Sequence, residues 1–304
     1  MIVRTIAIVV TLAGLALTAS AQDNNPLIVS GKLLDKASNL YDSGQYKKAM
    51  AVYEQIDLND TNYIPAQYGI SSCLYADSQF SASIAVSRHA LETNADPTWE
   101  PNLLNQIGIA YNEMDSVQQA LRTYDAGIAK FPYYSLFYLS KGTTLIRLEK
   151  WAEAEAVLKQ GLLYNPYSYS SHYKLGFCAI NQGKLVPAML SFIGYLLLSP
   201  DGRYHVNSIN WLSRIAYNKD TIQTMLNRRK EDPDENYQLL EQILQSKIAL
   251  DKSYKPLLQL DDPVSRQIQV LFEKMQYQPA DSDFYMQYYI PWFKTAFTNN
   301  QFEP

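Results

Sequence analysis

PNLLNQIGIAYNEMDSVQQALRTYDAGIAKFP (residues 101–132), SLFYLSKGTTLIRLEKWAEAEAVLKQGLLYNP (135–166) and YSSHYKLGFCAINQGKLVPAMLSFIGYLLLSP (169–200) follow one another in a single register. Pro132, Pro166 and Pro200 stand 34 residues apart, and Gly108, Gly142 and Gly176, then Ala120, Ala154 and Ala188, recur in the same phase. An interior helical glycine costs about 1 kcal/mol against alanine. Three at one phase therefore imply the close approach of a second helix, expected to present the small residues Ala120, Ala154 and Ala188. Tyr111 and Leu145 follow their glycines by one turn on the same face. Val117, Trp151 and Leu185 open the second helix, and Tyr124, Leu158 and Phe192 complete its apolar stripe as core residues. Each proline then stops that helix, because it lacks an amide hydrogen and its ring clashes with the preceding turn.

A 34-residue period with Gly, then Ala twelve on, then Pro twelve further, resembles the tetratricopeptide repeat (TPR) family. The resemblance implies an all-α fold, a right-handed solenoid of antiparallel helix pairs, with a helical C-terminal cap or module. It also implies a scaffold that binds and performs no chemistry.

The pattern extends in both directions from this stretch. Residues 30–200 are expected to hold five repeats. The first carries Ala37, Gly44, Tyr46, Ala49 and Tyr53; the second is weaker, with Ser71 and Ser83 at the small positions and a linker longer by three residues before Pro101. Residues 201–233 read as a divergent sixth pair, with Asn210 and Ile222 in place of the small residues. Residues 234–304 read as a helical cap or module. Helices are expected at Tyr204–Tyr217, at Thr221–Lys230 behind an Asp220 cap, at Asn236–Leu250, at Val264–Gln276 behind Asp262-Pro263, and at Phe284–Thr298.

Met1 to Ala21 has one early charge, Arg4, an apolar run from Ile6 to Leu17, and an Ala-x-Ala ending at Ala19 and Ala21. That is the pattern of a secretory signal peptide, with the mature chain starting at Gln22 and residues 22–29 a flexible lead-in. No cysteine follows the apolar run, which disfavours a lipid anchor, and no later run is long enough to span a bilayer. The expectation is export to the periplasm or outer-envelope space of a bacterium.

With 26 basic and 30 acidic residues the net charge is −4, which gives no electrostatic reason to expect nucleic acid. His89, His172 and His205 lie in three different units and pair with nothing at metal-ligand spacing. Asp57, Asn59, Asp60 and Asn62 lack the central glycine and terminal glutamate of a calcium loop. Glu149, Glu153 and Glu155 read as a solvated face. Cys73 and Cys178 fall three repeats apart, on the order of 25 to 30 Å at ordinary helix spacing, too far for a disulfide. No nucleophile elbow, phosphate loop or zinc-protease motif occurs, so neither a cofactor nor catalysis is expected.

The family resemblance places the site on the concave face made by the first helices. The matching positions here include Ser38, Tyr41, Tyr68, Ser72, Tyr75, Asn105, Asn112, Glu113, Thr143, Arg147, Tyr173, Phe177 and Asn181. Only Arg147 among them is basic, so the family's clamp for a terminal carboxylate is not carried over. Tyrosine, 24 residues in all, combines an apolar body with a polar tip. Together with amides it suits an extended peptide or a helix. The reading is a non-enzymatic scaffold with a protein or peptide partner. Its rivals are an envelope enzyme or a glycan- or lipid-binding protein using the C-terminal helices or the tyrosine-rich groove.

Overall fold

A computed structural model describes residues 26–93, 97–230, 235–255, 261–276 and 283–298. The expected signal peptide, its cleavage point and residues 22–25 of the lead-in lie outside these residues, while residues 26–29, expected as flexible lead-in, already belong to the first helix. The Asp232-Pro233 and Asp281-Ser282 pairs, which precede the helices expected from Asn236 and Phe284, lie outside the described residues as well. The described residues are all helical or irregular. No helix among them is long and apolar enough to cross a membrane.

Ten helices form five consecutive pairs: α1 (Pro26–Asp42) with α2 (Tyr46–Tyr53), α3 (Tyr63–Ala76) with α4 (Phe80–Thr93), α5 (Glu100–Glu113) with α6 (Val117–Lys130), α7 (Ser135–Arg147) with α8 (Trp151–Tyr164), and α9 (Tyr169–Asn181) with α10 (Leu185–Leu198). α11 (His205–Tyr217), α12 (Lys219–Leu226), α13 (Glu235–Ser246), a short 3-10 turn (Ile248–Leu250), α14 (Pro263–Lys274) and α15 (Phe284–Thr298) follow among the described residues. By internal contacts there are two compact units, up to Leu103 and from Leu104 on, dividing within α5.

Each first helix ends in the same way. Gly44, Ser78, Asp115, Glu149 and Gly183 all have positive φ, between 57° and 75°. The amide after each bonds back five residues, as Gln45 does to the Leu40 carbonyl (2.8 Å) and Lys184 to Ala179 (2.9 Å). This left-handed closure satisfies the last carbonyls of the helix and turns the chain into its partner.

The repeated glycines do provide close approach, but not to the alanines. A β-carbon on Gly108 would lie 2.3 Å from the Tyr124 ring, one on Gly142 2.7 Å from Leu158, and one on Gly176 2.9 Å from Phe192. Each glycine thus admits the large residue one turn beyond the alanine. The alanines are fully buried beside it. In the second pair a different solution stands in the same phase: the buried Ser71 hydroxyl donates to the Ser83 carbonyl (2.9 Å). It also lies 2.8 and 2.7 Å from the Ser83 and Ser87 hydroxyls. A hydrogen-bonded serine cluster replaces the glycine and its bulky partner.

In the first unit α1 to α3 share a core of Ala37, Ala49, Val52, Tyr53, Ile70 and Cys73, while Ile64, Ala90 and Leu103 form a second cluster. In the second unit one continuous core runs from Leu145 and Leu158 through Phe192 and Leu212 to Tyr289 and Phe293. The C-terminal helices therefore share the core of the fourth and fifth pairs, as a cap that covers them. Three helix limits differ from expectation. Asn218, not Asp220, caps α12, accepting from the Thr221 amide at 2.9 Å; α12 ends at Leu226; and α13 ends at Ser246 because Lys247 turns left-handed (φ 58°).

Candidate functional site

The first-helix positions are half-buried and partly engaged. In the first unit Tyr41 meets Tyr46 (ring centroids 5.4 Å apart), Tyr68 meets Trp99 (5.5 Å) and Tyr75 meets Phe80 (5.5 Å). Ser72 donates to the Tyr68 carbonyl at 2.9 Å, and Ser38 is exposed. Burial, then neighbouring Tyr46, pushes the Tyr41 phenol up, so it stays a neutral donor.

In the second unit several of these side chains hold repeats together. Thr144 donates to the buried Asn112 at 2.9 Å, and Arg147 pairs with Asp115 at 3.0 Å, each across 32 positions. Glu113 is exposed, Thr143 bonds back within its own helix by donating to the Leu139 carbonyl (2.7 Å), and the buried Oδ1 of Asn105 has no hydrogen-bond partner among the described residues. Tyr173 lies face to face with Tyr204, at 4.0 Å and 5°, inside a ring cluster with Phe192 and Tyr195. Phe177 meets the edge of Trp151 (5.7 Å), and Asn181 donates to Phe177 while accepting from Arg228, both at 2.9 Å. In the first unit Tyr41, Tyr68 and Tyr75 are partly exposed, whereas in the second Asn112 and Arg147 bridge successive repeats and Tyr173 is stacked on Tyr204.

A second concavity, of about 700 Å³, opens within the second unit where the turns after α7, α9 and α12 meet α13 and α15. Its floor is ionic. Glu155, read from sequence as solvated, is instead buried: it pairs with Lys159 and Lys184 (2.6 Å each) and accepts from Gln182 (2.6 Å) and from the Tyr285 hydroxyl (3.0 Å). Burial opposes its ionisation, but the two lysines outweigh burial and hold its carboxyl down to about 2. Glu241 is buried opposite, with Arg229 on both of its oxygens (2.8 and 2.7 Å). Burial pushes Glu241 up despite that partner. Glu155 had one legible signal: Trp151, Glu155, Leu158 and Leu162 share one helical stripe, which places the carboxylate on the packed side.

Cys73 and Cys178 are free and buried, and burial pushes their thiols up to about 11 and about 12, which makes them inert packing residues. His172 is buried and neutral, both ring nitrogens occupied by Tyr289 and the Pro166 carbonyl.

No family model matches the chain, and no curated protein matches it. Among solved structures it is similar to TTC0263, a thermophilic TPR protein of Thermus thermophilus, at 18% identity over 60% of this chain and 99% of that one, with a TM-score of 0.52. It is more distantly similar to YrrB, a TPR protein with an unusual peptide-binding site (15% identity, 64% of this chain and 98% of that one, TM-score 0.40). MamA of Desulfovibrio magneticus RS-1 is comparable (14% identity, 57% and 97%, TM-score 0.43). The fold is that of the TPR proteins.

Proposed function

We propose that this TPR-fold chain is a non-enzymatic scaffold of the bacterial cell envelope that binds a peptide or protein partner on the faces of its first helices. The observation that carries the reading is the set of half-buried aromatic side chains there, Tyr41, Tyr68 and Tyr75. Each stands in tilted contact with a neighbouring ring and keeps part of its own surface accessible. Tyrosine offers large contact area at low entropy cost, and interface energy concentrates in a few such anchors. The non-enzymatic part draws support from the titratable groups: Glu155 is locked as an ion-paired carboxylate and His172 as a doubly bonded neutral ring, so neither is poised as an acid or base near neutrality. Export rests on Met1 to Ala21 alone.

Affinity capture of the mature protein from its native envelope, read by mass spectrometry, names the partner. The mass of the purified protein tests a start at Gln22. With the partner in hand, Tyr68→Ala and Tyr75→Ala are expected to weaken binding with a smaller loss of stability than Tyr124→Ala, which removes a core side chain and should lower stability first. Normal binding by both first-helix variants overturns the reading.

A further inference from the structure

We propose that the charged cleft of the second unit is a separate docking site for an acidic peptide segment, anchored by Arg228. Six basic and five acidic side chains line it, against 26 and 30 in the whole chain, so the local balance of charge is reversed. Four of the five acids are spoken for, the exposed Glu149 being the exception among the described residues. Glu155 takes both Lys159 and Lys184, Glu241 takes Arg229, and Glu153 takes Lys150 (2.9 Å). Asp283 accepts from the Tyr237 hydroxyl and from the Met286 amide that it caps. Arg228 differs: it is exposed, donates to the neutral amide oxygen of Asn181, and holds no carboxylate among the described residues.

A guanidinium held at one nitrogen by a neutral amide is oriented but not neutralised, which suits it to a carboxylate presented from outside. The lining decides the ligand class. Small-molecule pockets are mostly apolar with a few polar groups, whereas eleven of these eighteen residues are charged. Lys150, Lys159, Lys184 and Arg229 already hold carboxylates, so an incoming acidic group falls to Arg228 and the exposed Lys230, and the paired side chains of the other two turns extend the polar lining past a single carboxylate. Trp151 and Pro187 supply apolar wall between them. An extended segment that alternates acidic and apolar side chains matches this lining. Glu231, Asp232 and Asp234 follow Lys230 in sequence, so the attraction rests on direct contact with the guanidinium and not on a long-range field.

The test is fluorescence anisotropy on the mature full chain, with a labelled peptide of about twelve residues alternating Glu and Leu, and a Lys/Leu peptide of the same length as control. The Glu/Leu peptide is expected to bind saturably and the control not to. Arg228→Ala should weaken binding about tenfold or more with an unchanged melting temperature, and Arg228→Lys should fall between. Tyr68→Ala should leave this binding unchanged. Three results overturn the proposal: no saturable binding, equal binding of the Lys/Leu peptide, or wild-type affinity in Arg228→Ala. Loss in Tyr68→Ala with retention in Arg228→Ala moves the peptide to the first-helix face, which sinks this proposal and leaves the scaffold reading standing.

Discussion

His172 and Tyr289, 117 positions apart, share a buried hydrogen bond of 2.7 Å. The other ring nitrogen of His172 faces the Pro166 carbonyl at 2.9 Å, which can only accept. Nε2 therefore carries the hydrogen, and Nδ1 accepts from the tyrosine hydroxyl. Gly194 of α10 makes the meeting possible: a β-carbon there would lie 2.9 Å from the Tyr289 ring and 3.1 Å from the histidine. Tyr289→Phe keeps the ring and strands a buried acceptor, so chemical denaturation should show a loss of about 1 to 3 kcal/mol. A variant as stable as the parent would show that the bond contributes nothing net.

Acid should destabilise the chain in two separable steps. Burial holds the His172 ring down to about 4, below its ordinary 6.5. The unfolded chain takes up that proton first, so this contribution is complete above 6.5 and is lost as pH falls toward 4. Glu155, held at about 2 against an ordinary 4.5, contributes fully above 4.5 and loses its contribution as pH falls toward 2. Each step is on the order of 3 kcal/mol. Unfolding free energy measured against pH should flatten in the upper window for His172→Gln and in the lower window for Glu155→Gln. A flat response of the parent from pH 6.5 to 4 contradicts the assignment to His172.

The left-handed turns predict opposite signs at equivalent positions. Glu149 sits at φ 57°, where a side chain costs about 1 to 2 kcal/mol, so Glu149→Gly should raise the melting temperature by a few degrees. Gly183, at φ 72°, would gain a β-carbon 2.6 Å from the Met225 carbonyl oxygen, so Gly183→Ala should lower it. Shifts of the same sign in both variants would contradict the shared turn geometry.

Glycines inside the helices separate in the same way. Gly142→Leu must force α7 away from Leu158 and should cost about 1 to 3 kcal/mol or more. Gly202, in the turn between α10 and α11, is equally tight, since a β-carbon there would meet the Ser199 and Tyr195 oxygens at 2.1 and 2.5 Å. Gly31, with nothing within 4 Å, is the control: Gly31→Ala should be neutral or stabilising by up to about 1 kcal/mol. Thermal unfolding of the two variants side by side checks the register.

The pairs α5 to α10 were legible because glycine, alanine and proline recur with a fixed period, and a period is a local property of the sequence. The role of Tyr124, Leu158 and Phe192 as the glycines' neighbours was half visible: they were placed on the right stripe, but spacing alone does not say which residue crosses to the facing helix. Arg228 on Asn181 and Tyr285 on Glu155 were invisible, because they join segments 47 and 130 positions apart with no repeating interval between them. Tyr173 shows the same limit, since its stacking partner Tyr204 lies beyond the last regular repeat.

The pairing of Tyr285 with Glu155 also sets an order of events. Whether the chain emerges from a ribosome or from an export pore, α15 arrives 130 positions after the carboxylate it covers. At ordinary rates of synthesis that is a delay of roughly 6 to 26 s. During it, Glu155, His172 and the apolar side of α10 wait without their last neighbours, while the unit up to Leu103 already holds every residue of its own. The first unit can therefore finish early. The second is exposed to proteases and to misassociation until α15 docks.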